Sequence, residues 1–120
     1  MTVTKEDIRK FINLYIDMLS YGKPLVDAIM DDPSAIVELA PAVDYLVKLS
    51  QEFADLVAEK PEIMDKFYEM SESEPCAILA AKKLPKRGVI PPERMRDWLL
   101  ECLEVYELSS SEGSTEERTS

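Results

Sequence analysis

Apolar side chains recur every three or four positions along most of the chain, the spacing that places them on one side of an α-helix. Strictly alternating β-branched runs and Asn-Gly or Asp-Gly hairpin turns do not occur, so strands are not expected. The first helix is expected to start at Thr4, whose hydroxyl suits an N-cap, with Asp7 against the positive end of the dipole. At about 100° per residue, its positions Ile8, Phe11, Ile12, Leu14, Tyr15, Ile16, Met18, Leu19 and Tyr21 fill an arc of roughly 220°. Gly22 is expected to end it in a left-handed cap, with Pro24 just beyond. So wide an arc exceeds one packed face. It places helix 1 either at the centre of a bundle or against another protein, a homodimer through helix 1 included.

Pro24–Asp31 then reads as a short helical piece, and Asp32-Pro33 as a new start with Asp as cap and Pro as first residue. Pro41 either kinks that helix or opens another. From Pro41 to Lys60 the apolar half is Val43, Leu46, Val47, Leu49, Phe53, Ala54, Leu56 and Val57, and Asp44, Lys48, Gln51, Glu52, Asp55 and Glu59 form the wet half. Pro61 opens a further helix through Ile63, Met64, Phe67, Tyr68 and Met70. Pro75 opens one through Cys76, Ile78, Leu79 and Leu84, closed by cations that suit a helix C-terminus. Pro91-Pro92 opens the last, with Met95, Trp98, Leu99, Cys102, Leu103, Val105 and Tyr106 on its apolar side. The expected fold is all-α: a single-domain globular bundle of five or six mostly proline-initiated helices over residues 1–108. Residues 109–120 hold no apolar side chain and are expected to be a disordered polar tail.

Composition narrows the chemistry. The chain has 120 residues, 46% of them apolar, enough for one core without a metal or disulfide staple. Cys76 and Cys102 lack CxxC spacing and fall on buried-looking faces. Free, reduced thiols are expected of them, with a disulfide between the two helices or a reactive thiol as the alternatives. There is no histidine, which removes Ser-His-Asp and Cys-His nucleophile pairs and His-ligated zinc. Neither an apolar run long enough to span a membrane nor a basic-then-apolar leader stands in the sequence, and a cytoplasmic location is expected.

The formal charge is −10, unevenly spread. Residues 1–74 carry 16 acids and 7 bases, residues 75–100 carry 2 acids and 6 bases, and residues 101–120 carry 6 acids and 1 base. The basic island, Lys82, Lys83, Lys86, Arg87, Arg94 and Arg96, together with Trp98, is the candidate partner-binding set. Arginines around a lone tryptophan have the composition of an interface hot spot, and cations suit an acidic protein surface. Nucleic acid is disfavoured as a partner, because a chain of this net charge repels a polyanion.

Acidic residues suggest two other roles. Asp27, Asp31 and Asp32 lie close enough for a hard-cation site but lack EF-hand spacing. Glu52, Asp55, Glu59, Glu62, Asp65 and Glu69 form rows that could imitate a phosphate backbone, as an acidic decoy for a DNA-binding protein or nuclease. A magnesium-dependent hydrolase would need inward pairs such as Glu69/Glu72 and Glu101/Glu104. Glu104, however, falls about 180° from Met95 on the last helix. No catalytic, cofactor or metal residue is assigned. The expected function is a non-enzymatic protein-contact role, as adaptor, assembly subunit or regulator.

Overall fold

A computed structural model describes the backbone of residues 3–119 and the side chains of residues 3–106. The order is α1 (Lys5–Asp31), a 3₁₀ turn (Pro33–Ile36), α2 (Ala40–Glu59), α3 (Glu62–Ser71), α4 (Glu74–Lys83) and α5 (Pro92–Thr119), with no strand among the described residues. The all-α single-domain bundle holds. The polar tail expected at 109–120 lies outside the described side chains.

Proline starts the elements as expected. Pro33, Pro41 and Pro75 sit in first turns, Pro61 is the residue before α3, and Pro92 is the first residue of α5. In a first turn the missing N–H removes no helical hydrogen bond. At the start of α1, Thr4 accepts from the Asp7 N–H at 3.2 Å, and Asp7 accepts from the Thr4 N–H at 2.8 Å, a closed capping box.

Two expectations about the first third of the chain are corrected. Gly22 is not a left-handed cap: α1 continues through it and through Pro24 for 27 residues, so the separate piece at Pro24–Asp31 is the second half of one helix. Pro24 leaves the Ser20 carbonyl without its helical donor, at a cost of about 3 kcal/mol. The packing that offsets it is tertiary. Leu25 is buried, α2 and the 3₁₀ turn lie along this half, and the helix closes only where the Asp32 N–H reaches the Ala28 carbonyl at 3.0 Å. Asp32 then caps the 3₁₀ turn through Ser34, and Pro41 opens α2 instead of kinking it. On α2 the buried side is narrower than expected. Leu49 and Leu56 are buried, Phe53 and Val57 pack at the edge, and Val47 and Ala54 are exposed.

α1 is the axis of the bundle and packs against α2, α3 and α5. Lys60 bonds to Asp7, and the Tyr45 ring lies 5.0 Å from Tyr21, so α2 runs antiparallel to α1. Glu104 pairs with Lys5 and Arg9 while Arg96 reaches Asn13 and Asp17, so α5 is antiparallel to α1 as well. Phe11 joins three helices, with ring centroids 5.0 Å from Phe53 and 4.9 Å from Phe67. Ile12, Ile16, Ile63, Met70, Leu99, Leu103 and both cysteines fill the core, each full burial of a large aliphatic being worth about 1.5–3 kcal/mol.

Two outcomes follow from these contacts. The Lys60 ammonium and the Thr4 N–H hold the Asp7 carboxyl below its ordinary value. A depressed folded pKa gives stability that is present above the unfolded carboxylate range and lost as pH falls through the folded value. Asp7→Asn should therefore cost about 1 kcal/mol at pH 7, with the gap to wild type closing in urea titrations between pH 5 and the acid limit of folding; a pH-independent gap contradicts this. Pro24→Ala should restore the bond to the Ser20 carbonyl and raise stability by about 1–2 kcal/mol. A loss of stability would mean that the proline is needed where it stands.

Candidate functional site

The basic island lies where α4 ends and α5 begins, and the fold divides it. Lys83 donates to Asp97 at 2.9 Å and pairs with Glu101 at 2.5 Å, a full turn apart on α5. Those carboxylates, Glu101 first, raise its pKa. Arg94 donates to the Lys83 carbonyl at 2.9 Å and so caps the last turn of α4. Arg96 turns back to α1, donating to Asn13 at 2.7 Å and Asp17 at 2.6 Å, with Glu93 beside it at 3.1 Å. Burial opposes its charge, but the hydrogen bonds of Glu93 and Asp17 outweigh it and hold the guanidinium above its ordinary pKa. Trp98 packs against the core, and its indole N–H donates to the Cys76 carbonyl at 2.9 Å. These four residues hold α4 and α5 to each other and to α1.

Lys82, Lys86 and Arg87 remain exposed and make no ion pair with the described residues. The connection 84–91 carries the last two beside Gly88, at φ 83°, and an exposed Val89. A left-handed φ favours glycine, so this turn keeps its shape because residue 88 lacks a Cβ.

Cys76 and Cys102 are both free and fully buried. Burial first, and then the neighbouring Cys76 thiol, pushes the Cys102 thiol far up, which leaves almost no thiolate near neutrality. Of the carboxylates considered for a hydrolase, Glu69, Glu101 and Glu104 are taken up individually. Tyr106 donates to Glu69 at 3.0 Å and, through burial and that bond, has its pKa pushed up to about 12. Glu101 holds Lys83, and Glu104 holds Lys5 and Arg9, with Lys5 foremost in lowering its pKa. Asp27 pairs with Lys23 at 2.9 Å and Asp32 caps the 3₁₀ turn. No group of three or more metal-ligating side chains converges among the described residues, and none of their helices is long and apolar enough to cross a membrane.

Glu52, Asp55, Glu59, Glu62 and Asp65 are exposed and make no ion pair with the described residues. On α2, Glu52, Asp55 and Glu59 share an arc of about 60°.

One surface was not singled out by charge or by motif. Ile8, Ile12, Leu19, Val26 and Met30 lie within about 40° of one another around α1, yet their exposure climbs from 5% and 0% to 36%, 54% and 78%. The first two are sealed by the bundle. Of the last three only Met30 lies past the start of α5, which sits beside Leu19–Asp27 on the flank of the stripe and leaves Leu19 and Val26 exposed. There Leu19, Ser20, Pro24, Pro91 and Pro92 line an apolar cleft of about 420 Å³, with Lys23, Asp27 and Glu93 at its rim. The Ser20 hydroxyl is buried there without a hydrogen-bond partner. Ile36 and Val37 of the adjoining 3₁₀ segment are exposed too. The signal was present as the seven- and four-residue steps from Leu19 to Val26 to Met30, which only a helix read through Gly22 connects. Comparison with protein-family models, with curated proteins and with solved structures finds no match.

Proposed function

We propose that the protein acts by non-covalent contact with other protein, as an adaptor, assembly subunit or regulator and not as an enzyme, and that the second half of α1 is its contact surface. The carrying observation is the exposure gradient along one helix stripe. An apolar face that is core at Ile12 and bare at Met30 has the chemistry of a core without its cover. The 3₁₀ segment adds Ile36 and Val37, and acids at Asp27, Asp31, Asp32 and Glu38 give the patch a polar rim. The end of α4 and the connection after it, which bear Lys82, Lys86 and Arg87, are a secondary contact suited to an acidic surface. Two unbridged thiols support a reducing compartment such as the cytoplasm.

The unpaired carboxylates along α2 and α3 favour one second reading, an acidic decoy that occupies a basic protein. The two readings use different faces. A photo-cross-linking side chain placed singly at position 30, 87 or 55 in the producing cell separates them. Discrete adducts at 30, with or without 87, are expected. Adducts at 55 alone favour the decoy, and no adduct at 30 overturns the proposed surface.

A further inference from the structure

We propose that the occupant of the bare α1 face is a second copy of this chain, docked antiparallel so that Met30 of each copy seats in the cleft of the other. The inference rests on the reading of that face as a contact surface and names what covers it.

The chain cannot cover the stripe with its own elements. α2 lies along the neighbouring flank of this half of α1, through Tyr45 on Tyr21 and with Leu46 beside Gly22, and still leaves Val26 and Met30 exposed. α3 is spent on Phe11 and Tyr15, and α5 begins only at Pro92. Thr4 and Tyr106 both lie at the far end of α1, roughly 40 Å from Asp31. Residues 107–120 contain one apolar side chain, Leu108, and so offer little to bury against it.

Knob, hole and charges are instead complementary to themselves. The most exposed side chain of the stripe is Met30, and the apolar cleft is beside Leu19 and Ser20, about 15 Å back along the same helix. If two α1 helices run antiparallel about a two-fold axis at the level of residue 25, Met30 of one lies opposite Ser20 of the other, twice. The same register sets Lys23 opposite Asp27 of the second copy, again twice. Both residues lie on one flank of the stripe, about 40° apart, and in one copy, among the described residues, they pair with each other alone, at 2.9 Å and largely exposed. An interface in which residue i meets j and j meets i closes as a dimer and not as a fibre. The unbranched thioether of Met30 suits a cleft whose shape it must follow.

Sedimentation of the full chain tests this. A monomer–dimer equilibrium is expected, with a dissociation constant on the order of 10 µM for so small a surface. Met30→Asp should weaken it by at least about 30-fold, as loss of a central apolar anchor does, with an unchanged circular dichroism spectrum. A charge swap separates this register from any other. Lys23→Glu and Asp27→Lys each place like charges across the two-fold and should each self-associate more weakly than wild type. In a mixture of the two, the introduced carboxylate of one variant faces the introduced ammonium of the other, and the native Asp27 of the first faces the native Lys23 of the second. That heterodimer should be at least about 3-fold tighter than either variant with itself. A wild type that stays monomeric up to about 1 mM, or a mixture no tighter than its components, overturns the proposal. Cross-links from position 30 to a different protein, with wild type monomeric, overturn the second copy as occupant while leaving the contact surface standing.

Discussion

The packing of α1 against α2, α3 and α5 fixes where everything else in the molecule can be. Phe11, Ile12 and Ile16 bring three helices onto one, and the long-range ion pairs are placed by the same contact: Lys60 with Asp7, Glu104 with Lys5 and Arg9, Arg96 with Asp17. The first two tie α2 and α5 to the first turns of α1, and Arg96 ties α5 to it about two turns further on, so that the direction and register of both neighbours are set. Partly exposed pairs of this kind contribute little each, so the apolar seam stabilises the bundle and the charges choose among its arrangements.

That constraint has a geometric limit. α1 has 27 residues, and the partners on its stripe end before it does. Pro24 lies near the point where cover runs out, and the helix persists there because Leu25 is buried on the α2 side and Asp32 closes the end. The result is a helix well anchored along one flank and bare along the other, beside a cleft roofed by two prolines, Pro91 and Pro92, at the start of α5. Rigid support under an exposed apolar face lowers the ordering cost of binding.

Much of this architecture was legible in the sequence. A proline in a first turn obeys a local rule, and Pro33, Pro41, Pro75 and Pro92 all mark starts. Local rules failed at Gly22 and Pro24, where tertiary packing of Leu25 outweighed a stop signal, and that failure hid the continuity of the stripe to Met30. The basic island was visible as a count and not as a surface. Nothing in the sequence says that Lys83 reaches Asp97 and Glu101, that Arg94 caps α4, or that Arg96 crosses to α1, because those distances exist only after α4, α5 and α1 are assembled. The burial of Cys76 and Cys102 followed from helical spacing; the influence of the Cys76 thiol on Cys102 did not.

Amide hydrogen exchange along α1, followed at several protein concentrations, bears most directly on the claim that one continuous helix carries a stripe from the core into a second copy. Strong, concentration-independent protection is expected over Ile8–Ile16, and weaker protection over Leu25–Asp31 that rises as the protein is concentrated. Exchange over Leu25–Asp31 as fast as an unfolded chain at every concentration would contradict it, since the helix would then end where Gly22 and Pro24 stand.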